Sequence, residues 1–155
     1  MIDRLSILND PPTVLDGPQL LHELIQWEKH SESCALDFSS NETRKTYSYR
    51  DLQSCVLFLQ SQIQQLLVAC KLETNDIPIQ HIIPVLLPQS PGLYVSQLAI
   101  LQSGGAFCPI NIDAPKDRIK FVVSDISAKL IITTPEKWDV ITVKVMTSAI
   151  LTLLV

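Results

Sequence analysis

Glycine is scarce in this sequence, and its scarcity excludes two kinds of phosphate-binding loop. Only four of the 155 residues are glycine, and only Gly104 and Gly105 are adjacent. A dinucleotide fingerprint needs three glycines between a strand and the following helix, and a Walker-type loop needs its own glycine and lysine spacing. Gly104-Gly105 instead follows a predicted helix and precedes a predicted strand. We expect it to end that helix and to let two backbones approach closely.

Charged residues are also few, at 18% of the chain against a usual share of about 25%. The formal net charge is −4 and no run of Lys and Arg exceeds two residues, so bulk attraction to nucleic acid or an anionic membrane is excluded. With 46% hydrophobic residues, this composition predicts a piece of a larger body whose apolar surface other segments cover.

Long hydrophobic runs are absent as well. The longest, residues 140–155, contains Lys144 and is shorter than the roughly 20 residues of a membrane-spanning helix. The first twelve residues contain no uninterrupted apolar core of a secretory signal. We therefore expect a cytoplasmic protein with no membrane partner and no nucleic-acid partner.

Residues able to bind metal or perform catalysis do not cluster. The four cysteines fit neither a zinc pattern nor a Cys-x-x-Cys motif: Cys34, Cys55, Cys70 and Cys108. The three histidines are far apart: His22, His30 and His81. A Gly-x-Ser-x-Gly nucleophile elbow is also missing. The sequence predicts no catalytic, no cofactor-binding and no metal residues in this chain.

The first half predicts one long amphipathic helix preceded by two strands. Residues 1–18 read as an irregular leader, and a helical stripe begins at Gln19 with these apolar positions: Leu20, Leu21, Leu24, Ile25 and Trp27. Residues 34–38 and 46–49 alternate as strands. Ser48 and Asp51 have the spacing of a helix cap. The helix that follows has its predicted buried face at Leu52, Cys55, Val56, Leu59, Ile63, Leu66, Leu67 and Cys70, and glutamines on the other face.

From residue 80 onward strands and helices alternate. A buried strand is predicted at 82–87, where Pro84 favours a sheet edge or a bulge. Ser90-Pro91 opens a helix with Tyr94, Leu98 and Leu101 on one face. An extended segment at 106–110 precedes a helix opened by residues 113–115, whose apolar positions are Ile119, Val122, Val123 and Ile126. A last strand covers 129–134. This order predicts an α/β layered, mostly parallel sheet with flanking helices.

Two segments resemble core motifs of adenylation domains, the adenylate-forming ligases of nonribosomal peptide synthetases. Thr46–Leu52 is similar to the first motif, Leu-Thr/Ser-Tyr-x-Glu-Leu, and Leu101–Asn111 to the second, Leu-Lys-Ala-Gly-x-Ala-Tyr-Leu-Val-Pro-Leu-Asp. Asp113–Phe121 and Ala128–Thr134 resemble the stretches that follow. The chain departs from the pattern at Asp51 (usually Glu), Gln102 (usually Lys) and Asn111 (usually Asp). The resemblance covers residues 19–135. The sequence of residues 111–115 is most similar to that of synthetases of the ferrichrome-type hydroxamate siderophore group.

The resemblance implies an AMP-forming, ATP-dependent ligase. In the family, a carboxylate attacks the α-phosphate of ATP, magnesium neutralises the phosphates, and the acyl group passes to a carrier thiol. The Ser/Thr/Gly-rich loop with lysine that cradles the phosphates is missing from this sequence. The resemblance thus implies the N-terminal portion of an adenylation domain, inactive and unstable alone, with the rest of that domain and a carrier domain as partners. ATP and Mg would be bound by the parent enzyme, not by this chain.

The roles of individual motif residues are predicted to be architectural. Pro109 stiffens an extended segment, and Arg118 is expected to anchor its helix to a neighbouring acid. Residues 136–155 form an apolar tail of uncertain origin, which we expect to be foreign to the domain. Two alternatives stay open: a fragment of an acyl-CoA or aryl-acid ligase of the same superfamily, and a non-catalytic interaction module.

Overall fold

The computed structural model describes residues 17–18, 20–39, 44–69, 81–137 and, as backbone alone, 149–152. Its strands are β1 (Cys34–Ser39), β2 (Arg44–Ser48), β3 (Ile82–Leu86), β4 (Ala106–Pro109), β5 (Leu130–Thr133) and β6 (Ala149–Thr152). Its α-helices are α1 (Tyr49–Ala69), α2 (Pro91–Gln102) and α3 (Lys116–Asp125), with 3₁₀ turns at Leu21–Leu24 and Pro135–Lys137. Cys70 and the leader up to residue 16 lie outside the described residues.

The sheet confirms the predicted α/β architecture. β1 and β2 form an antiparallel hairpin, while β3, β4, β5 and β6 form a parallel sheet in the order β4-β3-β5-β6. Side chains that alternate along a strand point to opposite faces of the sheet. Accordingly, Val85 and Ile132 belong to a core with α1 and α2, whereas Leu86 and Ile131 belong to a second core with α3. Helices therefore cover both faces.

The start of α1 is fixed by the capping box that the sequence predicts. The Ser48 N–H donates to Asp51 Oδ2 at 3.0 Å, and the Asp51 N–H donates to Ser48 Oγ at 3.1 Å. The Ser48 hydroxyl also donates to Asp51 Oδ2. The pKa of Asp51 lies below its usual range, because hydrogen bonds favour the charged carboxylate. The bond from the Ser48 hydroxyl has the larger effect, and the bond from the Ser48 backbone N–H the smaller.

The end of α2 confirms the role predicted for the paired glycines. Gly104 has φ +78°, and its N–H bonds to the Leu101 carbonyl while the Gly105 N–H bonds to the Ile100 carbonyl. This pair of bonds is a Schellman motif. A Cβ on Gly105 would lie 3.1 Å from the His81 carbonyl oxygen, so the second glycine permits the close approach of two backbones.

The prediction that Cys55 is buried was wrong. Cys55 is exposed, because it lies at the flank of the stripe centred on Val56 and Ile63, about 100° of helix rotation from Val56. In α2 the buried residues are Ser96, Ala99 and Ile100, whereas Tyr94 is exposed. That helix is apolar on all sides, so periodicity cannot identify its inner face.

Two further predictions needed correction. Residues 21–24 form only a 3₁₀ turn, with Leu21 and Leu24 exposed, because a stripe of nine residues is too short to hold a helix without packing. Pro84 lies in an internal strand and not at an edge. His81 and Val85 accept bonds from the β4 side, so alternation directs the Pro84 nitrogen toward β5, and the β3–β5 register begins only at Val85.

Candidate functional site

The carboxyl ends of β3, β4 and β5 meet at one edge of the sheet, because the strands are parallel. We call this the carboxyl edge and define it as residues 87–90, 110–113 and 134–137. From β3 the chain passes through α2 to β4 on one side, and then through α3 to β5 on the other side of β3. The direction of winding thus reverses between β3 and β5. In open α/β sheets, ligands bind outside the carboxyl ends of the strands at such a reversal.

Buried hydroxyls concentrate at or beside this edge. Four polar side chains are buried in the described part of the chain, and three of them, Ser90, Thr133 and Thr134, follow or end a parallel strand. Burying a hydroxyl is costly unless it is hydrogen-bonded. Each of the three hydroxyls forms such a hydrogen bond.

Thr133 joins the two strands on either side of the reversal. Its Oγ1 donates to the Leu86 carbonyl at 3.2 Å, in a fully buried contact. The register pairs the same two residues across β3 and β5. This hydroxyl therefore fixes the relative position of the strand ends that flank the crevice.

The segment after β5 contains one hydroxyl, that of Thr134, and one lysine, Lys137, but both groups are used by the scaffold. The Thr134 hydroxyl, followed by the Glu136 backbone N–H, stabilises the Glu136 carboxylate and lowers its pKa. Lys137 Nζ donates to the Ile112 carbonyl at 3.0 Å, which ties the segment after β5 to the loop after β4. These contacts position the backbone at the carboxyl edge. Residues 134–137 contain none of the glycines that a phosphate-binding loop needs.

The loops after β3 and β4 are ordered in the same way. Ser90 is the N-cap position of α2 and Pro91 its first residue, as predicted, although the Ser90 hydroxyl donates to the Pro88 carbonyl instead of capping the helix. Asn111 Oδ1 accepts the Asp113 N–H at 2.9 Å. The amide that replaces the family's usual aspartate therefore makes the local turn that leads toward α3.

Arg118 makes no ion pair with an acid among the described residues, although the sequence predicts such a pair. Within residues 81–137 and the other described ranges, its contact is with the Phe121 ring, whose centroid lies 5.7 Å from the guanidinium carbon. The two residues are one helical turn apart on the exposed side of α3, where the flat guanidinium can stack on the ring.

Within the described residues, no three His, Cys, Asp or Glu side chains come together as a metal site. A groove of about 690 Å³ lies elsewhere, between residues 23–29 and Gln53, and shares no lining residue with the carboxyl edge. None of the helices in the described ranges combines the length and apolar character of a membrane span.

Residues 25–152 match the profile of the AMP-binding enzymes. The chain belongs to the AMP-binding enzyme family. The match runs past residue 135 and includes β6, and so covers the carboxyl edge completely.

Sequence relatives of this AMP-binding chain are fungal nonribosomal peptide synthetases. It is 48% identical over 130 residues to nonribosomal peptide synthetase 2 of Cochliobolus heterostrophus, and 43% identical over 132 residues to nonribosomal peptide synthetase SIDC of Beauveria bassiana. These alignments cover 83% and 85% of this chain. The chain spans only 2% and 3% of the length of these two relatives.

Solved structures show the same fold. The peptide synthetase FmoA3, in its α-methyl-L-serine-AMP-bound form, superposes with a TM-score of 0.70 over 97% of this chain and 16% of its own, at 18% identity. An acyl-CoA synthetase of Brucella canis gives 0.65 over 80% of this chain and 21% of its own, also at 18% identity. The fold is thus that of adenylate-forming ligases, and the likeness to both branches comes from architecture alone.

Proposed function

We propose that this chain is the scaffold-forming part of an amino-acid-adenylating domain in a nonribosomal peptide synthetase of the hydroxamate siderophore group. The observation that carries the proposal is the 48% identity to a fungal peptide synthetase across 83% of the chain. A relative at 33% identity, from Schizosaccharomyces pombe, is a hydroxamate-type ferrichrome siderophore peptide synthetase. These relatives favour the peptide-synthetase branch over acyl-CoA or aryl-acid ligases.

In this proposal the chain builds one wall of the nucleotide crevice. The Thr133–Leu86 bond sets the spacing of β3 and β5, and the Lys137–Ile112 bond holds the neighbouring loops together. The strand ends and loops joined by these two bonds form that wall, and the residues that cradle the ATP phosphates and Mg²⁺ come from outside this sequence. The chemistry that those groups supply is activation of the substrate carboxylate as an acyl-adenylate, before transfer to a carrier domain.

We also propose that residues 136–152 belong to the same domain, in place of the foreign tail expected from the sequence. β6 pairs in parallel with β5 over four residues, from Leu130↔Ala149 to Thr133↔Thr152. A strand that continues the sheet in register, inside the span that matches the family, supports a native origin for this segment.

The isolated chain is expected to show no adenylation activity. The test is amino-acid-dependent exchange of pyrophosphate into ATP by the purified 155-residue chain, offered standard and hydroxamate-bearing amino acids. The expected result is exchange at the level of the no-enzyme blank, since the sequence lacks the Ser/Thr/Gly-rich loop with lysine that cradles the polyphosphate in the family. An intact adenylation domain of a relative is the positive control, and circular dichroism establishes that the chain is folded. Exchange that depends on one amino acid would contradict the assignment of this chain as scaffold.

A further inference from the structure

Lys137 joins two segments of the carboxyl edge that the sheet itself does not join. Because β3 lies between β4 and β5, no backbone ladder connects the loop after β4 with the segment after β5. The bond from Lys137 Nζ to the Ile112 carbonyl, at 3.0 Å, connects them from one side of β3 to the other. Among the described residues, no other side-chain hydrogen bond or ion pair links residues 110–113 to residues 134–137.

Lys137 bonds to a neutral carbonyl although an acid precedes it in the chain. The Glu136 carboxylate is stabilised by the Thr134 hydroxyl and by its own backbone N–H, which lower its pKa. Lys137 makes no ion pair within the described ranges, and its half-buried ammonium donates to the Ile112 carbonyl instead. A hydrogen bond from a charged donor is stronger than one between neutral groups, so this contact is able to hold two loops together.

The loop after β4 has no other hydrogen bond to its surroundings, within the described part of the chain, once Ile110 has ended the ladder with β3. Asn111 forms a local turn: its Oδ1 accepts the Asp113 N–H and its carbonyl accepts the Ala114 N–H. These bonds fix the shape of the turn and not its place relative to β5. Apolar packing against the core shared with α3 holds the turn on one face, and the Lys137 bond ties it to the neighbouring segment.

We propose that Lys137 is a positioning residue for nucleotide binding, because its bond sets the distance between the loops that flank the crevice at the carboxyl edge. This role rests on the proposed function, in which ATP occupies that crevice. Without the bond, the loop after β4 is free to move and must be ordered again when the nucleotide binds. The effect falls on binding and not on the chemical step, since the groups that cradle the phosphates come from outside this sequence.

The bond itself is tested by hydrogen exchange of backbone amides in the full 155-residue chain, for the unaltered protein, Lys137→Met and Lys137→Arg. Methionine keeps an unbranched stem and removes the donor, whereas arginine keeps a charged donor. In Lys137→Met the Asp113 and Ala114 amides are expected to exchange about tenfold faster, as loss of one hydrogen bond to a charged group predicts. In Lys137→Arg they are expected to keep their original rates.

The Ala106 amide is the internal control, because it bonds to the His81 carbonyl at the other end of β4. Its exchange rate is expected to be the same in all three proteins. Unchanged rates at Asp113 and Ala114 in Lys137→Met would overturn the positioning role. Equal acceleration at all three amides would overturn it as well, since it would show a general loss of stability.

The consequence for the nucleotide is measured by pyrophosphate–ATP exchange in the adenylation domain of the Cochliobolus heterostrophus synthetase carrying residues 25–152 of this chain. Lys137→Met is expected to raise the KM for ATP about tenfold and to leave kcat and the KM for the amino acid unchanged. Lys137→Arg is expected to restore the KM for ATP. The matched control is Lys129→Met, since Lys129 is exposed and precedes β5 at the opposite end of the strand, and no change is expected from it.

Failure of the proposed function and failure of the positioning role give different results. A chimera that retains Lys137 and shows no exchange contradicts the proposed function, and hydrogen exchange in the full chain still decides whether Lys137 positions the loop. An active chimera whose KM for ATP is unchanged by Lys137→Met, or raised equally by Lys129→Met, overturns the role of Lys137 alone. A lower kcat with an unchanged KM for ATP does the same.

Discussion

Replacing Ile132 by alanine is expected to lower the free energy of unfolding by about 2–5 kcal/mol. Ile132 has no exposed surface and lies in β5, next to the internal strand β3, where it packs in the core shared with α1 and α2. Truncation removes the transfer free energy of three carbons and leaves a cavity in a sheet that cannot collapse around it. Since a domain is stable by only about 5–15 kcal/mol, this is a large part of the total.

Urea unfolding followed by circular dichroism measures the effect of Ile132→Ala. Ile132→Val is the graded control, with an expected loss of about 0.5–1.5 kcal/mol. Leu21→Ala is the exposed control, since Leu21 is 69% exposed and its truncation should change stability by less than about 0.5 kcal/mol. A loss for Ile132→Ala no larger than that for Leu21→Ala would contradict the position of β5 in the centre of the core.

Replacing Gly105 by valine is expected to cost about 3 kcal/mol or more, because the new side chain meets the backbone. A Cβ at this position would lie 3.1 Å from the His81 carbonyl oxygen, 3.2 Å from Ile100 Cγ2 and 3.4 Å from the Ile100 carbonyl oxygen. The two carbonyls belong to the start of β3 and the end of α2, and neither can rotate away as a flexible side chain could.

The adjacent glycine gives a matched control for Gly105→Val. A Cβ on Gly104 has nothing within 4 Å, but its φ of +78° disfavours any residue with a side chain. Gly104→Ala is therefore expected to cost about 1–2 kcal/mol from conformation alone. Urea unfolding of both variants checks the order, and a greater loss for Gly104→Ala would contradict the close approach of the two backbones at Gly105.

The sequence predicts this architecture well where one residue type has one physical role. Ser48 with Asp51 has the spacing of a capping box, and Gly104-Gly105 that of a helix stop, so both ends were predictable from local chemistry. Alternation of strands and helices after residue 80 was enough to predict a parallel sheet. Periodicity carries no information about the buried side of α2, because apolar residues surround that helix and Ser96 and Ala99 are among its buried residues.

The candidate site could not be predicted from the sequence, because it depends on the order of strands in space. No local sequence pattern shows that β5 pairs with β3 on the side opposite β4. Without this strand order, the reversal of the winding direction cannot be recognised. Thr133 and Thr134, two threonines that end an otherwise apolar strand, were the available signal. Their role became clear only from the Thr133 bond to Leu86 across the strands.

We propose that residues 25–152 are an interchangeable scaffold for an adenylation domain. The most direct test replaces the matching segment of the adenylation domain of a relative, such as the Cochliobolus heterostrophus synthetase, with these residues and measures amino-acid-dependent pyrophosphate–ATP exchange. We expect exchange with the amino acid of the host domain, at a rate within about tenfold of the host, which corresponds to about 1.4 kcal/mol in the barrier. A chimera that unfolds at the temperature of the host domain but supports no exchange would contradict it.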